Sequence, residues 1–290
     1  MPLDHLAAAD LFRNPPHRFI DVGGAEVAYR TVGQGPDVLF VHGWPVNSAT
    51  FRRLLPFLVD HVTCHLIDLP GAGTSRFDSA SDLTIDGHIR SVRRVIDELD
   101  LSSVALVGHD SGGLIARHAI AGDSRLRSLV LLDTEPSTGV SWKFRTFLFG
   151  RHVPGFGNVL GWVAGRPRLR KSGLIFGDAV VDRSHLDGDF EEFFFRPLHE
   201  SREHRVAAGR LLKSFNYDLI DELESLHRRI DVPVALVWGE HDRFFPVEKA
   251  RKMLDDFRQA TLHVIPDSGL FAHEERPEDV ARAILPTLVP

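Results

Sequence analysis

Gly108-His109-Asp110-Ser111-Gly112-Gly113 decides how this chain is read. The apolar run Val104-Ala105-Leu106-Val107 precedes it, and Leu114-Ile115-Ala116-Arg117-His118-Ala119-Ile120 follows with its apolar residues at helical spacing. The pattern is a strand, a sharp turn and a helix. Such a turn puts one residue into a strained backbone conformation with its side chain standing free. Close packing on both sides then calls for the small residues Gly108 and Gly112. The order small-x-nucleophile-x-small puts Asp110 in the nucleophile's position, which points to a carboxylate nucleophile.

Outward from this turn the chain alternates strands and helices. Arg18–Val22, a Gly23-Gly24 turn and Glu26–Thr31 read as a hairpin, after a weakly patterned lead-in over residues 1–16 that is either docked or frayed. Asp37–Val41 and Val62–Ile67 are buried-type strands, ending in His42-Gly43-Trp44-Pro45 and Asp68-Leu69-Pro70-Gly71-Ala72-Gly73. A helical period covers Ile85–Leu99, and Leu129–Leu132 runs into Asp133. Val234–Trp238 leads into Gly239-Glu240-His241-Asp242. A helix over Val247–Asp256, a strand over Thr261–Ile265 and a helix over Glu278–Leu285 complete the chain. Such alternation implies a mostly parallel sheet covered on both faces. It breaks between about Pro136 and Asp231, a region rich in Phe, Arg and Gly with helical stretches at 141–149 and 200–226. Residues 1–135 and 231–290 are therefore expected to form the core. Residues 136–230 are expected to form a helical cap inserted after its sixth strand.

At 290 residues the chain is long enough for one α/β domain with an insertion. The net charge of −6 gives no reason to expect nucleic acid as a partner. A single cysteine, Cys64, excludes an internal disulfide and suits a reducing compartment. The first residues lack a signal-peptide layout and no apolar run is long enough to span a bilayer, so a cytoplasmic setting without membrane is expected. No cofactor and no metal is expected, because no side-chain cluster has metal-ligand spacing and no phosphate-cradling glycine loop precedes a lysine. The expected partner is a small hydrophobic molecule, and a homodimer stays open.

Taken together, His42-Gly43-Trp44-Pro45, Asp68–Gly73, the Asp110 turn and Trp238–Asp242 resemble the α/β-hydrolase family over nearly the whole chain. An aspartate turn with a His-Gly-x-Pro loop looks like its epoxide hydrolase and haloalkane or haloacetate dehalogenase branch. The resemblance implies an α/β-hydrolase fold with a helical cap and an apolar pocket between cap and core. Asp110 would open an epoxide or displace halide to give an alkyl-enzyme ester. The amino end of the following helix would keep it ionised. The backbone N–H groups of Trp44 and Ser111 would form the oxyanion hole, where one missing donor typically costs ~100- to 1000-fold in rate. Asp242 would orient the catalytic histidine, with Asp133 as the alternative acid. His42, Tyr217 and Trp142 are candidates for the substrate pocket.

The histidine departs from the pattern. The chain reads Gly269-Leu270-Phe271-Ala272-His273-Glu274-Glu275-Arg276-Pro277, with Leu270 where the resemblance implies the catalytic base. Leucine neither takes a proton from water nor holds a charge. Three readings stay open: a substitution that traps the ester, His273 acting in the role one helical turn on, or a pocket used for non-hydrolytic chemistry or ligand binding. Ring-opening acids in the branch are paired cap tyrosines, and only Tyr29 and Tyr217 occur here. Position 111, which carries Trp or Arg in the dehalogenases, is Ser. Trp162, like Trp142, is read as a cap aromatic that lines the pocket or supplies an indole N–H, the Phe193–Phe195 run as cap packing partly facing substrate, and the basic run Arg166–Lys171 as cap surface or steering of an anionic substrate.

Overall fold

The computed structural model describes residues 3–289; Met1, Pro2 and Pro290, and the part of the amino-terminal reading that falls on them, lie outside it. Among the described residues, nine strands form one sheet: β1 (Arg18–Asp21), β2 (Ala25–Gly33), β3 (Asp37–Val41), β4 (Thr63–Asp68), β5 (Arg76–Phe77), β6 (Val104–His109), β7 (Leu126–Leu132), β8 (Val234–Gly239) and β9 (Ala260–Ile265). Their order is β1-β2-β4-β3-β6-β7-β8-β9, with β5 paired to β2. The run from β4 to β9 is parallel, whereas β1, β2 and β5 pair antiparallel. β6 and β8 are buried at every residue, as expected for parallel strands covered on both faces.

Local chemistry fixes the helices. Thr84 caps the helix Ile85–Glu98 by accepting from Gly87 N–H. Ser141 does the same for Trp142–Leu148 through Phe144, and Ser201 for Arg202–Ser214 through His204. The lead-in is docked: Asp4 caps a helix at His5–Arg13, and Arg13 pairs with Asp189 and Glu192, each at 2.8 Å. Among the described residues, no helix is long and apolar enough to cross a membrane.

Between β7 and β8 the chain is helical, without a sheet strand among the described residues. This insertion follows the seventh strand and not the sixth, because Arg76-Phe77 adds a two-residue strand too short to leave a pattern. The expected helix over 200–226 is broken into Arg202–Ser214, Asp218–Asp221 and Leu223–His227. Residues Glu191–Phe195 form a π-turn whose three phenylalanines are buried. The basic run is tied down internally: Arg170 pairs with Asp187 at 3.2 Å and Glu191 at 2.8 Å, and the Arg166 guanidinium lies over Trp162.

The turn between β6 and the helix Ser111–Ile120 is packed to backbone contact. A Cβ on Gly112 would lie 2.2 Å from Val41 O, and one on Gly108 would lie 2.6 Å from Gly113 Cα. Neither neighbour is a flexible side-chain tip. Gly112→Ala is therefore expected to destabilise the protein by about 1–3 kcal/mol. At roughly 2–4 °C per kcal/mol for a chain of this size, calorimetry reads this as a melt several degrees lower. An unchanged melting temperature would contradict the packing argument.

Candidate active site

The carboxyl ends of β3, β6, β7 and β8 converge beneath the helical insertion. Asp110 occupies the turn after β6 with φ 50°, ψ −135°, a strained conformation for a residue with a Cβ. Its Oδ2 accepts from Trp44 N–H at 2.8 Å, and the Ser111 amide also favours its charged form. Asp110, Trp44, Ser111 and Leu270 line one cavity of about 60 Å³. The rest of its wall is chiefly apolar, from Phe144, Phe147, Phe176, Phe215 and Phe244. Ligand pockets usually measure ~300–1,000 Å³, so entry of a larger molecule requires the insertion to move.

The loop carrying Trp44 is held from below. Asp68 accepts from Ser48 N–H at 3.0 Å and Thr74 N–H at 2.9 Å, and it faces the buried Arg30. Burial acts to raise its pKa; Arg30 and these donors outweigh it and hold the carboxyl below its ordinary value. His42 donates from Nδ1 to Gly43 O at 2.9 Å and accepts from Leu69 N–H at Nε2 at 2.9 Å. With both ring nitrogens occupied, His42 braces the loop. It borders a neighbouring cavity and not the one holding Asp110, which corrects its assignment to the substrate pocket. Trp44 is also fixed from above, since its indole Nε1–H donates to Ala208 O at 2.9 Å.

Two other pocket candidates lie elsewhere. Trp142 is 76% exposed and borders a surface groove with Arg243. Tyr217 packs on Phe215 beneath the Arg151 guanidinium, and Phe215 takes the place on the cavity wall. Trp162 is half exposed, and Phe193–Phe195 pack outside the Asp110 cavity.

His273 does not face Asp110. Its Nε2 pairs with Thr50 Oγ1 at 2.8 Å, its ring lies 4.4 Å from that of His109, and it is fully buried. Burial and the neighbouring His109 drive its pKa well below the ordinary value, so it is neutral. His109 is itself neutral, with a pKa lowered to about 3 by burial, and its Nε2–H donates to Leu270 O at 2.9 Å. Glu275 Oε2 meanwhile accepts from Gly269 N–H at 2.7 Å. These two bonds fix the segment that directs Leu270 into the cavity.

The site is crowded with acids. Asp133, with φ 38° after β7, accepts from Gly239 N–H at 2.7 Å through Oδ1. Asp242, after β8, accepts at Oδ1 from Phe244 and Phe245 N–H at 2.7 and 3.1 Å. The remaining oxygen of each, Oδ2, is buried without a donor, and the two carboxyls face each other. One shared proton satisfies both, so the two candidate acids form a pair. Burial pushes Asp242 up to about 7, and burial together with Asp242 raises Asp133. Asp110 is also raised, by burial and by Glu135, against the pull of the Ser111 and Trp44 amides. The helix end thus favours the charged form as expected but is outweighed by burial and by a charged Glu135, and the second opposition vanishes when Glu135 carries a proton.

Glu135 is a site residue that the sequence reading passed over. It lines the Asp110 cavity, is fully buried, and leaves Oε1 without a hydrogen-bond partner. The signal was present as three polar residues, Asp133-Thr134-Glu135, between a buried strand and Pro136.

A carboxyl whose pKa is raised on folding binds its proton more tightly in the native state, so its contribution to stability falls as pH rises from about 4 through 7. Asp242→Asn keeps the Oδ1 acceptor and presents an N–H to Asp133. It is expected to melt higher than the parent at pH 8–9 and to differ little near pH 5. A lower melting temperature across that whole range would contradict a shared proton.

Comparisons with known proteins agree with this architecture. The uncharacterized hydrolase YugF of Bacillus subtilis is 28% identical over 274 residues, covering 93% of this chain and 96% of that protein. A cis-3-alkyl-4-alkyloxetan-2-one decarboxylase of Shewanella oneidensis is 26% identical over 286 residues, covering 90% and 85%. The solved structure of the epoxide hydrolase CorEH superposes with a TM-score of 0.78 at 19% identity, covering 94% of this chain and 98% of that one. The model of the alpha/beta hydrolase family matches residues 38–283, and the chain belongs to that family.

Proposed function

We propose that this protein is a hydrolase of the epoxide hydrolase and dehalogenase type, in which Asp110 attacks a small hydrophobic electrophile to form an alkyl-enzyme ester. The observation that carries the reading is the presentation of Asp110. Its carboxylate stands at a strained turn on the floor of a phenylalanine-lined cavity, with one oxygen held by Trp44 N–H. An oxygen so held stays in place while the other is free to attack carbon. After ester formation the Trp44 and Ser111 amides are positioned to stabilise the carbonyl oxygen when water adds. The helical insertion acts as the cap, with 1–135 and 231–290 as the core. Asp133 and Asp242 are the remnant of the acid position in a triad whose base is replaced by Leu270. The single cysteine, Cys64, free and buried, supports a reducing, cytoplasmic setting.

A second reading is favoured by one observation: Leu270 faces the cavity while His273 is engaged with Thr50. A cavity of this kind serves non-hydrolytic chemistry or ligand binding, and a curated relative carrying a decarboxylase name supports that alternative.

Intact-protein and peptide mass spectrometry after incubation with a short alkyl bromide and with an alkyl epoxide separates the readings. Ester formation on Asp110, absent in Asp110→Asn, is expected; no adduct with either probe favours the binding protein. Leu270→His places an imidazole on the wall of the Asp110 cavity. It is expected to speed loss of the bromide-derived ester by about 100-fold, the scale of a positioned general base. An ester equally persistent in that variant would remove Leu270 from the account.

A further inference from the structure

We propose that Glu135 is a catalytic residue, serving first as the acid and then as the base of an epoxide-opening cycle in which no histidine takes part. The proposal rests on Asp110 as the nucleophile and supplies what that reading lacks, a group to move protons. Glu135 shares the Asp110 cavity, and no histidine lines it among the described residues.

Hydrogen bonding divides the roles between the two carboxyls. Asp110 receives the Trp44 and Ser111 amides, which favour charge on it. Glu135 Oε1 has no partner and Oε2 meets the Thr134 hydroxyl at 2.8 Å; burial raises its pKa, against the pull of Arg117, its own backbone N–H and that hydroxyl. That hydroxyl also lies 2.7 Å from Asp110 O and 3.0 Å from Arg117 Nη2, which donates to it. When the single Thr134 proton goes to Asp110 O, the proton in the bond to Glu135 comes from Glu135. In that arrangement Glu135 is the neutral acid, and with Glu135 neutral the two amides favour Asp110 as the carboxylate. Two buried carboxyls that cannot both hold charge, with amide donors on one alone, suit an acid and its partner nucleophile.

With an epoxide the steps balance. An Asp110 oxygen bonds to a ring carbon, the carbon–oxygen bond breaks toward oxygen, and that oxygen takes the Glu135 proton. This leaves a hydroxyalkyl ester and a Glu135 carboxylate. Glu135 then removes one proton from water as the hydroxide oxygen bonds to the ester carbonyl carbon, with the carbonyl electrons held at the Trp44 and Ser111 amides. Collapse expels the diol oxygen, which takes the remaining proton of the added water. Asp110 returns as carboxylate and Glu135 as acid. One carboxyl alternating between acid and base beside a carboxylate nucleophile is the logic of retaining glycoside hydrolysis.

The cycle has a consequence that a packing role for Glu135 lacks. A departing bromide takes no proton, so after alkylation by an alkyl bromide Glu135 stays protonated and cannot activate water. The wild-type protein is therefore expected to turn over an alkyl epoxide to diol while accumulating a persistent Asp110 ester from an alkyl bromide of equal chain length. Glu135→Gln, checked by circular dichroism and melting temperature, is expected to lower the epoxide-to-bromide ratio of esterification rates by about 100-fold. Glu135→Asp, which keeps the acid, should recover part of that ratio if Gln fails to fold. Wild-type esters from both probes that hydrolyse at equal rates, or a ratio unmoved by Gln or Asp, overturn the role of Glu135. Neither diol nor adduct from either probe overturns the reading of Asp110 itself.

Discussion

Backbone crowding around Asp110 is the constraint on which the rest of this structure depends. The turn after β6 passes so close to β3 that Gly43, Gly108 and Gly112 each leave no room for a methyl group. That proximity brings Trp44 N–H to 2.8 Å from the carboxylate and places the start of the helix Ser111–Ile120 beside it. Side chains could not produce this geometry from a relaxed turn; it comes from the sheet register, with Val41 opposite Gly108. The strained φ of 50° at Asp110 is sustained because strand, helix and neighbouring loop all hold it.

Electrostatics is the second organising theme. Asp110, Asp133, Glu135 and Asp242 gather at one end of the sheet, and burial raises the pKa of each. The full charge of four carboxylates cannot be held in so dry a region, so the cluster retains protons. Below it the logic inverts: Asp68, equally buried, stays ionised because Arg30, Ser48 and Thr74 surround it. The same residue type thus braces a loop at one level and stores a proton at another, according to its donors.

The sheet was legible because buried parallel strands are written as apolar runs, and the turn because its glycines leave no alternative. Arg76-Phe77 left no trace, since two residues carry no period. His273 misled because helical spacing gives a shared face without saying what that face meets; Thr50 and His109 claim it. Tyr217 and Trp142 were misplaced for a related reason. Their exposure depends on how the inserted helices break and settle on the core, and the breaks at Phe215–Tyr217 and Glu222 carry no proline or glycine signal. Glu135 belongs to no motif, and only its burial beside Asp110 brings it into view.

Trp44 joins two parts of the molecule that a ligand must treat differently. Its peptide N–H serves the Asp110 carboxylate, while its indole is tethered to Ala208 on the helix Arg202–Ser214. The cavity is too small to admit a sizeable guest without displacement of that insertion. Admission therefore pulls on the same residue that steadies the carboxylate, and the doorway and the workbench share a hinge pin. On the proposed reading, one tryptophan would couple entry to reaction.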